Sequence, residues 1–382
     1  MILNTRIAQK LTFLVLAQFL ATSLWFAGNA IYPEIESLFH YPFELTPKLT
    51  IAVQLGFISG TLIYAVSAIV DRFSPAKVFG ISAVLASISN LLVLLNLPFE
   101  GLFLSRLGVG FFLAGIYPVG MKIAADWAKD GLGKSLGFLV GALVLGTAFP
   151  HLIKFISAGL PWKLVIGVTS GLALISGAIV VLLVGDGPDR TAMTKFRLKA
   201  ILQLFRNKGV KSAALGYFGH MWELYAFWSF LPAMLYGYGT FTDRSVSLLA
   251  FSVIGVGSIG CIAGGLISGV VGSRKVAFWS LIVSGSCALM SGFMFEFAPI
   301  FFLTFLFLWG FFVIPDSPQF SAMVANSSIP ELKGSALTIV NSIGFTTTIV
   351  SIQIIDWMEP LGNLRYSALA IGPILGLLSF RK

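Results

Sequence analysis

The sequence predicts an all-α membrane protein with 12 transmembrane helices in two pseudo-symmetric six-helix bundles. Three observations predict it. The chain is 57% hydrophobic and 11% charged, with a mean hydropathy of +0.92, far outside the range of water-soluble domains. It divides into about twelve apolar windows, each close to the ~20 residues a helix needs to cross the hydrocarbon core. Finally, it echoes itself at an offset near 200 residues: Gly110-Phe111-Phe112 and Pro118 return as Gly310-Phe311-Phe312 and Pro318. Asp130 to Lys134-Ser135 and Glu331 to Gly334-Ser335 both lead into apolar spans, and Ser74 and Lys77 are matched by Gly272 and Lys275. Parallel repeats of this length in an apolar chain predict two copies of one bundle, with a ligand bound between them.

The windows fall near 10–32, 47–70, 77–96, 99–121, 134–156, 162–184, 212–235, 246–270, 275–294, 299–322, 335–356 and 362–379. Their short connections predict antiparallel neighbours, and helices satisfy the backbone internally, as lipid requires. In the first window Gln18, Trp25 and Asn29 share a stripe. Arg6, Lys10, Ala27 and Ala30 give this segment the look of a secretory signal, but its polar stripe and the span lost on cleavage favour retention. The second window ends in the turn Asp71–Lys77, and the fourth carries Arg106, Gly110, Leu113 and Tyr117 on one face. The fifth holds Gly137, Gly141, Gly146 and Pro150. The seventh aligns Gly216, His220, Glu223 and Phe227; the tenth aligns Trp309, Phe312 and Asp316. The eleventh aligns Thr338, Asn341, Phe345 and Thr348. Cys261 and Cys287 both lie inside spans and read as small buried side chains.

Between the sixth and seventh windows lies the longest non-apolar interval, Gly185 to Lys211, with seven basic residues. Leu198, Ile201, Leu202 and Phe205 fall there at helical spacing, which fits either a basic amphipathic helix on the inner leaflet or a plain polar connection. The expected organisation is therefore an N-terminal bundle over 1–184, a cytoplasmic linker over 185–211 and a C-terminal bundle over 212–382. Basic residues sort 19 to 5 in favour of the N-terminus and even-numbered turns, with Arg106 inside a span. The positive-inside rule then places both termini in the cytoplasm. The net charge of +9 is thus a topology signal and gives no reason to expect nucleic acid as a partner.

These features resemble the major facilitator superfamily of secondary transporters over nearly the whole chain. The best local marker is Asp71-Arg72-Phe73-Ser74-Pro75-Ala76-Lys77, similar to the superfamily's loop Gly-x-x-x-Asp-Arg-x-Gly-Arg-Lys, with Ser67, Ser74 and Pro75 departing from it. Arg106-x-x-x-Gly110 is a second marker, whereas the fifth span lacks the Gly-Pro core typical of antiporters. Gly216 to Tyr225 is distinctive and carries no substrate assignment. The resemblance implies alternating access, a monomer in the bacterial inner (plasma) membrane, and a gate in which Asp71 caps the eleventh span near Gly334-Ser335 while Arg72 or Lys77 pairs with Asp126. A positive-inside charge cluster without a gating role is the alternative for the same residues.

Ionisable groups at membrane depth are costly, so they usually face a cavity or each other. The expected substrate site comprises Trp25, Asn29, Arg106, Tyr117, His220, Glu223, Trp228, Trp309, Asp316 and Asn341, with the stripes of both halves facing one chamber. Proton coupling is expected at Glu223, His220 and Asp316, because a carboxyl in that setting resists ionisation and an imidazole can relay. Arg106 has two readings: a fork for a carboxylate or oxyanion, or a clamp on backbone carbonyls or a tyrosine. Asp316, between Pro315 and Pro318, also fits the role of satisfying a broken helix, and His151 that of a structural group near the outer surface.

No cofactor is expected. Gly255-x-Gly257-x-x-Gly260 has no preceding strand and reads as close helix packing. His220-x-x-Glu223 lacks a third metal ligand, no Walker sequence is present, and no nucleophile–base pair points to an enzyme. Asn326-Ser327-Ser328 reads as a glycosylation acceptor on the cytoplasmic side. The expected function is proton-coupled transport of a small anionic or zwitterionic solute, with sodium as the other possible coupling ion and lipid as the surrounding partner. The alternative is proton-driven export of an amphipathic or cationic compound. A receptor or lipid-handling enzyme fits less well, since the loops hold no output domain.

Overall fold

A computed structural model describes residues 5–41, 43–127, 132–157, 160–190, 205–329 and 332–381. Asp130, Glu331 and, in the linker, Leu198, Ile201 and Leu202 lie outside the described residues. Among the described residues the secondary structure is helical, with no strand. Two compact units emerge, Met1–Lys195 and Phe196–Lys382. Among the described residues, ten helical segments are long and apolar enough to cross a membrane, beginning with Leu45–Val66 and ending with Glu359–Leu378. Two expected spans fall outside these ten. The first corresponds to α1 (Thr5–Thr22), which stops short. The seventh lies in α10 (Lys208–Gly237), where His220, Glu223 and the Tyr and Trp residues lower the hydropathy.

In the first unit α1 is followed by α2 (Tyr32–Phe39), α3 (Leu45–Val66), α4 (Ile69–Arg72) and α5 (Pro75–Leu91). Then come α6 (Phe99–Leu113), α7 (Tyr117–Trp127), α8 (Leu132–Ile156) and α9 (Lys163–Ile179), the last extended by a π turn over Val180–Val184. The second unit contains α10, α11 (Asp243–Val271), α12 (Ser273–Met290), α13 (Pro299–Phe312) and α14 (Asp316–Ser327). It ends with α15 (Lys333–Trp357), a 3-10 stretch Glu359–Ala370 and α16 (Ile371–Leu378).

Three windows expected as continuous helices are broken well inside their length, besides the turn at 67–68 near the end of the second. The first ends at Thr22, and residues 23–31 form turns; Thr22 and Ser23 return their hydroxyls to Gln18 O and Leu20 O, competing with the helical ladder. The fourth breaks over 114–116, between α6 and α7, and the tenth over 313–315, between α13 and α14. These last two breaks lie within the repeated Gly-Phe-Phe…Pro segments. The stripe Arg106–Tyr117 therefore bends at its last member, and Asp316 starts a new helix.

The repeat extends to backbone packing. A Cβ on Gly110 would lie 1.9 Å from Val53 O, and one on Gly310 would lie 2.2 Å from Val253 O. Likewise Gly60 would meet Phe111 O at 2.4 Å, and Gly260 would meet Phe311 O at 2.2 Å. All four pairs correspond at an offset of 200. In each unit the glycines let two helices touch backbone to backbone, α3 on α6 and α11 on α13, which no larger residue permits.

Candidate functional site

The broken first span creates a chemical need. Where residues 23–31 leave the α-helical pattern, the carbonyls of Leu24 and Trp25 lose their usual donors. Arg106, with no exposed surface, supplies them: Nη2 donates to Leu24 O at 2.9 Å and to Trp25 O at 3.2 Å. Its Nη1 donates to Asn90 Oδ1 at 2.7 Å, and Asn90 Nδ2 donates onward to Ser170 Oγ at 2.9 Å and Thr169 Oγ1 at 3.1 Å. The Tyr32 hydroxyl is a further neighbour. Both Nη groups of Arg106 are thus engaged inside its own unit, in the manner of the clamp on backbone carbonyls that the sequence raised beside the anion fork, while its Nε has no hydrogen-bond partner among the described residues.

The same stretch carries two more expected site residues. Asn29 Nδ2 donates to Thr50 Oγ1 at 2.9 Å, and the Trp25 ring lies 4.9 Å from that of Phe57. Both contacts anchor the unwound chain to one face of α3. Gln54, between Thr50 and Phe57 on that face, is fully buried and neither of its amide atoms has a hydrogen-bond partner among the described residues. Tyr117 opens α7 and is half-buried.

In the second unit Glu223 is fully buried on α10. Trp309 Nε1 donates to its Oε1 at 2.6 Å and Ser284 Oγ to its Oε2 at 2.9 Å, so both donors are neutral. Trp309 stacks on Phe227, centroids 4.1 Å apart, which fixes the indole that holds the carboxyl. One turn before Glu223, His220 Nδ1 lies 2.8 Å from Asp316 Oδ1; the two residues are 0% and 1% exposed. Asp316 sits at the N-terminus of α14, where its own and Ser317's N–H groups face the carboxyl. The pair is a close contact and not an aligned hydrogen bond, since neither His220 nitrogen and neither Asp316 oxygen has a hydrogen-bond partner among the described residues. Trp228 is buried beside Tyr225, and Asn341 is half-buried on α15. An imidazole and a carboxyl this close can pass a proton between them.

Arg106 and Glu223 thus draw their partners each from its own unit. His151, on α8, is buried, and so are Cys261 and Cys287.

At the expected gate, Arg72 and Lys77 are exposed. Asp126 pairs with Lys122, 3.4 Å away and one turn earlier, where the resemblance implied Arg72 or Lys77. The i,i+4 partner on its own helix is simply nearer. The loop is instead held by the chain after α9. Asp186 Oδ1 accepts from Ser74 Oγ at 2.8 Å and from Ala76 N at 2.9 Å, at the N-terminus of α5. Arg190 Nη2 donates to Phe73 O at 2.7 Å and Asp71 O at 2.8 Å, at the C-terminus of α4. Each charge therefore sits at the helix end whose partial charge opposes it.

Reasoning from sequence missed Gln54, Asn90 and Ser284. The available signal was an amide or hydroxyl in an otherwise apolar span, the same signal that marks Gln18, Asn29 and Asn341. The family described as Major Facilitator Superfamily matches residues 14–352. No curated protein matches the chain.

Proposed function

Because the chain belongs to the major facilitator superfamily, and is therefore a multi-pass membrane protein and a secondary transporter of a small molecule, we propose that it exchanges protons for an amphipathic or cationic solute. The observation that carries this reading is the buried His220–Asp316 pair at the break of the tenth span, 2.8 Å apart. A carboxylate that binds a cation cannot hold a proton at the same time. Solute and proton therefore compete for it, and competition within an alternating-access cycle makes their exchange obligatory. Glu223, one turn along α10 and tied by Trp309 to the helix that ends at this break, is the second acid of the coupling set.

The anion reading has less support, because both Nη groups of Arg106 are bound to Leu24 O, Trp25 O and Asn90. The proposed solute-contacting residues are Trp25, Asn29 and Tyr117 in the first unit and Trp228, Trp309 and Asn341 in the second. The rest of the proposal follows the sequence: twelve spans in two six-helix repeats over 1–184 and 212–382, joined by the linker 185–211. Both termini face the cytoplasm of a bacterial inner membrane, and the working unit is a monomer. The gating role of Asp71, Arg72, Lys77 and Asp126 is proposed with the pairings found here, in which the start of the linker braces the loop.

The test is proton release on ligand addition. Purified protein in weakly buffered detergent is titrated with ethidium, an aromatic cation. Ethidium binding should release protons from the wild type and none from Asp316→Asn. Binding without proton release would overturn the exchange reading, and binding of carboxylate solutes in place of cations would restore the anion reading.

A further inference from the structure

Gln54 breaks a strong rule. A buried amide offers two donors and an acceptor, and leaving them unpaired in a low-dielectric interior is costly. Gln54 nevertheless has no exposed surface and no hydrogen-bond partner at Nε2 or Oε1 among the described residues. Its place in the register shows what it faces. Thr50, Gln54 and Phe57 recur at spacings of 4 and 3, so they occupy one face of α3. Thr50 holds Asn29 and Phe57 packs on Trp25. Gln54 therefore shares the face of α3 that carries those two anchors of the unwound stretch 23–31.

A second amide repeats the pattern. Gln18, two turns before Trp25 on α1, is fully buried with both amide atoms unpartnered among the described residues. It abuts Gly120 of α7, where a Cβ would come within 2.5 Å of its Oε1. A larger residue at 120 would crowd that oxygen. Local rules are most often broken where function requires it.

We propose that Gln54 is a solute-reading residue, with Gln18 as a second one, and that the group they read is a neutral amide or hydroxyl on the transported molecule. A primary amide can donate and accept at once, so it matches a substrate amide in both directions. Gln54 carries no charge and would contribute selectivity without taking part in proton exchange. The inference extends the proposed transport of an amphipathic cation by naming the uncharged group that such a solute presents.

The probes are procainamide and procaine, aromatic cations alike except that an amide in one replaces an ester in the other. Binding is read as thermal stabilisation of the full-length protein in detergent. Wild type should bind procainamide about tenfold more tightly than procaine, the size expected for one well-made hydrogen bond. Gln54→Leu should bring that ratio to near one while procaine binding persists. The ligand-free variant should also melt higher than wild type, because an unpaired amide has been replaced by an apolar group of similar size. An unchanged ratio would overturn the proposal, as would a Gln54→Leu protein that melts several degrees lower without ligand, the result expected of an amide bonded to structural water. If neither probe binds the wild type, the cation reading of the substrate fails, and the ligand-free melting comparison still decides for or against Gln54.

Discussion

Arg106 joins three segments through a single side chain. Its donors reach the unwound stretch after α1, Asn90 on α5 and, through Asn90, the hydroxyls of Thr169 and Ser170 on α9. Arg106→Met keeps much of the apolar stem and leaves two buried carbonyls and one amide oxygen without donors. It should lower stability by about 3 kcal/mol or more, read as a large fall in melting temperature. A small fall would mean that water replaces the guanidinium. Glu223→Gln behaves differently, since its amide oxygen still accepts from Trp309 and its nitrogen can donate to Ser284. Its stability should change by less than about 1 kcal/mol, while proton-coupled transport is lost; a variant that still couples would remove Glu223 from the proton path. At this scale the sequence conveyed which residues are polar at membrane depth but left their partners open. Arg106 read first as a fork and second as a clamp, because the carbonyls it binds lack donors only once the first span has unwound.

Between elements, the decisive contacts are glycines that let backbones touch. Gly110 and Gly310 meet Val53 O and Val253 O at positions 200 residues apart. Gly110→Ala and Gly310→Ala should therefore each destabilise by about 1–3 kcal/mol through overpacking, to a similar degree. Gly171→Ala, on α9 with nothing within 4 Å of the added methyl, should be neutral or gain up to about 1 kcal/mol. Thermal melts of the three proteins in detergent check the pattern, and unequal losses at 110 and 310 would show that the copies no longer pack alike. The Gly-Phe-Phe echo was legible in the sequence because packing at that density tolerates one residue type. The breaks were less legible. Pro315 marked one of them, whereas the break after Thr22 goes with hydroxyls that turn back onto the helix and with carbonyls that accept from Arg106, neither of which has a periodic signature. The clasp by Asp186 and Arg190 was also hidden, since it joins positions more than a hundred residues apart.

For the molecule as a whole, composition alone conveyed the solvent, and the family match over residues 14–352 confirms the transporter class. Topology is the next property to test. With the loop after the second span in the cytoplasm, Lys77→Cys in sealed inverted vesicles should react with a membrane-impermeant maleimide, and in right-side-out vesicles it should not. Lys77 is exposed, and the two native cysteines are buried, so the labelling reports one site. Labelling only from the outside would reverse the assigned orientation. The central claim is that a buried His–Asp pair couples the movement of a solute to that of a proton. The most direct measurement is proton flux in proteoliposomes, recorded with a pH-sensitive dye when ethidium is added to one side. The wild type should show ethidium-dependent proton movement opposite to that of the cation, absent from Asp316→Asn. Ethidium movement with no accompanying proton flux, or the same flux in Asp316→Asn, would contradict the account.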